Sequence, residues 1–195
     1  MPRKNRPYKK GEPFKDATFL IIACEGAIRE KVYFESLAYR KQKVKIKVLA
    51  PEKEDAGHSA PNWILDRAIT YTQEIGANQF DSLWFVLDTD NWKREILEEI
   101  KAECKENWFI ALSNPCFEAW LIMHYLNPNE IESTTCKELK RELNSKVLGG
   151  YKVEVALRNV SQAIDRAKSV DKTSHFIPLP KTTKVYSVVD QIIKK

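Results

Sequence analysis

Two aspartates, Asp88 and Asp90, directly follow the apolar run Trp84-Phe85-Val86-Leu87. Four apolar residues without alternation read as a strand buried on both faces, as in the middle of a parallel sheet. At strand spacing the two carboxylates point to one side. Where the chain leaves the sheet, both can converge on the space beyond its carboxyl edge, where open α/β sheets bind ligands. Carboxylates this close raise each other's pKa unless a cation lies between them, and hard oxygen ligands of this kind suit Mg²⁺ or Mn²⁺. The tripeptide is common, however, and a turn cap at Asp88 with a helix cap at Asp90 accounts for it as well.

Glu25 has the same setting. It follows Thr18-Phe19-Leu20-Ile21-Ile22-Ala23, a second continuous apolar run, and precedes helical apolar spacing at Ile28, Val32, Tyr33, Leu37 and Ala38. Gly26 permits a tight turn or close backbone approach between the two. A carboxylate there favours a positive helix N-terminus, and it also stands where a sheet puts its chemistry. Two further polar residues, Glu118 and His124, stand in the nearly all-apolar stretch 116–126, which follows Ser113-Asn114-Pro115. Asn114 can cap that helix with Pro115 at its first position. A glutamate in such a helix needs a partner or an opening to water, and a histidine near its end is as readily a hydrogen-bonded core residue as an acid or base. Lys93 and Arg94 lie within a turn of Asp90 and could touch a phosphate, or could be solvated.

The elements that must position these groups follow from periodicity. Strands are expected at 18–23, 44–49, 83–87 and 108–112, and helices at 28–39, 60–76, 92–105 and 116–126. The second strand alternates β-branched residues with Lys45 and Lys47 and belongs at or near an edge. His58 sits in a charged loop and receives no role. After Asn127-Pro128-Asn129 the chain turns helical, with helices near 136–144 and 153–169, a proline-bearing loop at 170–181 and a last helix striped by Val185, Val188, Val189, Ile192 and Ile193. Alternating strands and helices imply an α/β fold with a mostly parallel central sheet and helices on both faces. The expected organisation is a basic flexible arm at 1–14, an α/β core at 15–126 and a helical C-terminal region at 127–195 packed on or beside it.

Composition narrows the function. With 43% hydrophobic and 30% charged residues the chain reads as folded. No apolar run approaches the roughly 20 residues that span a membrane, and the basic start lacks the apolar middle of a secretory signal, so a cytoplasmic protein is expected. The charge of +5 and the arm suit loose phosphate contact. Cys24, Cys104, Cys116 and Cys136 lack C-x-x-C spacing, which argues against a structural zinc site or a disulfide framework. Neither G-x-x-x-x-G-K nor G-x-G-x-x-G occurs, which disfavours an NTPase or dinucleotide enzyme.

Ile21-Ile22-Ala23-Cys24-Glu25-Gly26 with Tyr33-Phe34, the triplet Asp88-Thr89-Asp90, the run Ser113-Asn114-Pro115-Cys116-Phe117-Glu118-Ala119-Trp120-Leu121 with His124, and the terminal Thr182-Thr183-Lys184-Val185-Tyr186 together resemble the RloB family. The S-N-P-x-F-E-x-W run is the specific part. The resemblance implies a Toprim-like domain, the catalytic fold of primases, type IA topoisomerases and OLD-type nucleases, and an association with restriction-modification and anti-phage loci. It implies that Glu25 binds metal or acts as general acid or base, that Asp88 and Asp90 bind metal, and that Glu30 fills an acidic position in an E-G-x-x-T-E pattern. Arg29 stands where that pattern has threonine. It also raises Glu118 and His124 as catalytic candidates.

The expected function is a Mg²⁺-dependent (or Mn²⁺-dependent) nuclease cleaving RNA, such as tRNA, during an infection response, with partner proteins of a defence locus. Glu25, Glu118 and His124 are its candidate catalytic groups, Glu25, Asp88 and Asp90 its metal ligands, and Glu30, Arg29, Lys93, Arg94, Ser113 and Asn114 its substrate contacts. The rival is a non-hydrolytic nucleic-acid-binding or regulatory protein that retains a Toprim shell. A topoisomerase is disfavoured because the chain is too short to add strand-gating domains.

Overall fold

The computed structural model describes residues 17–51, 60–76, 79–147, 149–171 and 175–195. The basic arm and the loop carrying His58 lie outside the described residues. In chain order the elements are β1 (Thr18–Cys24), α1 (Arg29–Tyr39), β2 (Val44–Leu49), α2 (Pro61–Ile75), β3 (Ser82–Asp88), α3 (Arg94–Glu103), β4 (Trp108–Asn114), α4 (Glu118–Ile122), α5 (Cys136–Lys146), α6 (Val153–Ala156), α7 (Val160–Val170), β5 (Thr182–Thr183) and α8 (Val185–Ile193).

The strands form one sheet in the order β2-β1-β3-β4-β5. The first four are parallel and β5 runs antiparallel to β4. The three continuous apolar runs occupy the interior, as strands covered on both faces must. β2, with its lysines, takes one edge, where Lys45 and Lys47 lie over the rings of Phe19 and Tyr71.

Alternation along the strands divides the core into two. Leu20, Ile22, Cys24, Trp84 and Val86 face Tyr33, Phe34 and Leu37 of α1 together with α4, α5, α7 and α8. Ile21, Ala23, Phe85 and Leu87 face Ile64 and Ala68 of α2 and Leu97 and Ile100 of α3. Each large apolar side chain buried in this way contributes about 1.5–3 kcal/mol. The helices that follow residue 127 thus share a core with the sheet. None of the described helices is long and apolar enough to cross a membrane.

The topology makes one place special. From β1 the chain passes over one face, through α1, to the outer strand β2. From β3 it passes over the other face, through α3, to β4. The connections leaving two adjacent strands therefore diverge, and a crevice opens at their carboxyl ends, the switch point where open α/β sheets receive ligands.

The structure departs from the sequence pattern around residues 113–126. Asn114 does not cap a helix. It ends β4, paired with Thr182, and its side-chain amide donates to the Pro178 carbonyl at 2.9 Å. The Asn114-Pro115 bond is cis. The helix expected over 116–126 is the shorter α4, followed by turns, and its neighbours are buried because tertiary packing covers them. The strand β5 lies just past the loop expected at 170–181, in the residues read as leading into the last helix, and there Thr183 bonds Ser113 across the sheet edge, hydroxyl to hydroxyl, at 2.9 Å.

Candidate active site

Glu25 stands one residue beyond β1, and Asp88 is the last residue of the neighbouring β3. The parallel register sets Cys24 beside Val86, so the two carboxyl-bearing ends emerge together. Glu25 Oε2 accepts the Asp88 backbone N–H at 3.3 Å and the Trp92 indole N–H at 3.0 Å. The chain between the aspartates is fixed from the side: the N–H groups of Thr89 and Asp90 both donate to the Pro115 carbonyl, at 2.9 and 3.1 Å. The turn after β4 thereby shapes the loop that carries Asp90.

Gly26 makes the next contact possible. A Cβ at that position would collide with the Glu30 carboxylate, which folds back from α1 over the glycine. Glu30 is 7% exposed and Glu118 is 4% exposed. Arg29 reaches from α1 to Glu118 Oε1 at 2.5 Å. Glu25, Glu30, Asp88, Asp90 and Glu118 line one cleft of about 540 Å³ with Arg29, Asn91, Cys136 and Lys140.

Among the described residues, five carboxylates confront two cations in the cleft, an excess of negative charge. Burial lifts the Glu25 carboxyl to about 7, opposed by the hydrogen bonds from Trp92 and the Asp88 N–H and aided by the charges of Asp90 and Glu30. The Asp88 carboxyl is pushed well above its ordinary range by burial and by Glu25, Glu30, Glu118 and Asp90. Glu30 and Asp90 are raised as well, each chiefly by desolvation. Burial alone would lower the Lys140 amine, but Glu118 and the neighbouring thiols turn the net shift upward. Crowded hard-oxygen donors whose charge is this poorly neutralised fit a divalent cation such as Mg²⁺ or Mn²⁺.

The sequence match is as extensive as the site suggests: the family model for RloB-like protein matches residues 20–193. The chain belongs to the RloB-like family. Comparison with curated proteins and with solved structures finds no match.

Of the candidates read from the sequence, this RloB-like chain gathers Glu25, Arg29, Glu30, Asp88, Asp90 and Glu118 around one cleft. It does not bring the others there. His124 is 1% exposed. Its Nε2 faces the Tyr33 hydroxyl at 3.1 Å and its Nδ1 faces the Trp120 and Leu121 carbonyls at 3.2 Å. Those partners define a neutral ring that donates from Nδ1 and accepts at Nε2, and burial lowers its pKa to about 4. Ser113 is fully buried against Thr183, and the Asn114 amide is held by Pro178. Lys93 and Arg94 are exposed at the start of α3, where Arg94 pairs with Glu98 at 2.7 Å.

Three residues in or beside the RloB-like cleft carry no functional signal in the sequence pattern. Trp92 reads as the first apolar position of a helix, yet α3 begins at Arg94 and the indole instead holds Glu25. Cys136 and Lys140 belong to α5, which reads as a short basic helix, and only its packing beside α4 brings them to Glu118.

Proposed function

We propose that this chain is a divalent-cation-dependent phosphodiesterase with a Toprim-like core, and that its substrate is nucleic acid, RNA such as tRNA in the first instance. The observation that carries the reading is the joining of Glu25 to Asp88 at the β1/β3 switch point, with Asp90 beside them. The family's resemblance to Toprim-type domains supports the fold assignment, and its association with anti-phage loci supports a role in an infection response. A net charge of +5 supports a polyanionic substrate.

Glu25, Asp88 and Asp90 would hold the cation. When bound, it would supply Lewis-acid polarisation of a phosphoryl oxygen and neutralise charge developing there. Glu25 is anchored through one oxygen by Trp92 and the Asp88 N–H, and burial holds its carboxyl at about 7 in the absence of a cation, so cation binding there would release a proton near neutral pH. Arg29, positioned by Glu118, and Lys140 face the same cleft and can contact phosphate oxygens. Hydrolysis then breaks one P–O bond, with water adding to phosphorus and the leaving oxygen gaining a proton.

The test is cleavage of labelled tRNA, unstructured RNA and DNA by the purified full-length chain. The expected outcome is cleavage with Mg²⁺ or Mn²⁺ that EDTA abolishes and added cation restores. Folded protein that binds RNA but cleaves none of these substrates at any cation concentration would favour a non-hydrolytic binding protein.

A further inference from the structure

Beside the cleft carboxylates lies a group of different chemistry. Ligand atoms of Cys116, Glu118 and Cys136 all approach within 4.8 Å of one another. Cys116 is fully buried, Glu118 is 4% exposed, Cys136 is half-buried, and both cysteines are free thiols. The Cys136 thiol donates to Glu118 Oε2 at 3.7 Å. The three come from separate elements: the turn after β4, the first turn of α4 and the start of α5.

The geometry suits a tetrahedral cation. With bonds of about 2.3 Å to sulfur and about 2.0–2.2 Å to a carboxylate oxygen, a sulfur and an oxygen on one tetrahedral Zn²⁺ stand about 3.5–3.7 Å apart, and Cys136 Sγ and Glu118 Oε2 are already separated by 3.7 Å. Glu118 divides its oxygens, Oε1 to Arg29 and Oε2 toward the thiol. Lys140 lines the same cleft as Cys136 and brings a positive charge to it. Glu118 and Cys136 also line the cleft, so a fourth position is open to water or substrate.

We propose that Cys116, Glu118 and Cys136 form a second cation site, selective for a thiophilic divalent metal such as Zn²⁺ and separate from the hard-oxygen set of Glu25, Asp88 and Asp90. Thiolates discriminate against Mg²⁺, as carboxylates do not. Occupation would tie the start of α5 to α4 and to the end of β4, and so fix Arg29 and Lys140 where they face the acidic cleft. The site escapes sequence reading because its cysteines stand far apart in the chain and only packing unites them. It does not depend on the chain being a nuclease.

The full-length chain, metal-stripped and kept reduced with a phosphine, is titrated with Co²⁺ as a spectroscopic stand-in for Zn²⁺. The expected result is a thiolate-to-cobalt charge-transfer band that saturates at one equivalent, persists in excess Mg²⁺ and is displaced by Zn²⁺, which also raises the melting temperature. Cys136→Ser and Cys116→Ser should each lose the band, and Cys104→Ser should keep it. Should Cys116→Ser not fold, the half-buried Cys136 position decides. Folded wild-type protein without the band, or a band that survives in folded Cys136→Ser, would overturn the proposal, whatever the outcome of the cleavage assay.

Discussion

The acidic cleft and the cluster around His124 take titratable groups out of water in opposite ways. His124 is wrapped by Tyr33 and Trp120, with ring centroids 5.6 and 4.8 Å away, and each ring nitrogen meets a complementary atom. The hydrogen bonds offset its desolvation, and the ring stays neutral. In the cleft, Asp88 and Glu30 are withdrawn from water among groups of their own sign, and their carboxyls are raised because nothing present neutralises them fully. The more deeply sealed histidine is the one whose polar atoms are all paired. Burial alone therefore does not mark a reactive group; burial with an uncompensated charge does.

Replacing Asp88 with asparagine tests that contrast most severely. It removes one crowded charge while keeping shape, so the cation-free protein should melt at the wild-type temperature or above, and the Mg²⁺-induced rise should vanish. Cleavage should fall at least ~100-fold, about 2.7 kcal/mol of transition-state stabilisation. A variant that melts lower without metal yet keeps the wild-type Mg²⁺ shift would make Asp88 structural and erase the distinction between the regions.

His124→Ala should behave inversely. It leaves the buried Tyr33 hydroxyl without its nitrogen partner and a hole among aromatic rings. The unmade hydrogen bond and the cavity together should cost about 2–4 kcal/mol, read by urea unfolding. Cleavage per folded molecule should be unchanged at a temperature where the variant remains native. Loss of turnover with the fold intact would return His124 to the chemistry.

Acid titration sharpens the comparison, because the two regions have opposite signs. His124 has a folded pKa near 4 against an ordinary 6.5, so the unfolded chain binds the extra proton and stability is lost as pH falls from about 6.5 to 4. Glu25 has a folded pKa near 7 against an ordinary 4.5, so its stabilisation is full below about 4.5 and is lost as pH rises toward 7. The two largely cancel in the cation-free wild type across that window. Glu25→Gln should shift the slope toward the histidine's sign by at most about 1.4 kcal/mol per pH unit relative to the wild type, while Asp88, Glu30 and Asp90, also raised, pull the other way in both proteins. His124→Gln should expose the opposite slope of the cleft. Matching slopes in the two variants would show that neither group governs acid stability.

The parts of this architecture that were legible in the sequence are those written in local pattern. Continuous apolar runs marked β1, β3 and β4 as interior strands, and the helix expected at 60–76 is α2. The acidic ends of β1 and β3 followed from those strands, and with them Glu25, Asp88 and Asp90 as neighbours. What stayed hidden was set by distant pairing. Two threonines become β5 only because Ser113 and Asn114 offer a free sheet edge, and that pairing withdraws Asn114 from the capping role its spacing suggests. Trp92 leaves the helical stripe because a buried carboxylate competes for its indole N–H. Periodicity could not separate Glu118 from His124, since both interrupt one apolar stretch; only their partners do, an arginine at the cleft for one and a tyrosine in the core for the other.

The smallest expected effect lies where the cleft touches its own backbone. Gly26 does not have a positive φ, so alanine is compatible with the main chain there and should gain about 0.4–1 kcal/mol through the unfolded state. Its methyl group must displace the Glu30 carboxylate, either toward the other cleft carboxylates or out into water. Those contributions oppose each other, so the melting temperature of Gly26→Ala should move by no more than a few degrees. Cation affinity should still weaken several-fold, because the displaced carboxylate is part of the charge that attracts the ion. A Glu30→Ala background removes the obstacle, and in it Gly26→Ala should leave affinity unchanged. The double-mutant cycle reads this coupling directly. Additive losses would mean that Gly26 acts on the cleft without Glu30, and that the close approach of the carboxylate to the glycine has no part in holding the site negative.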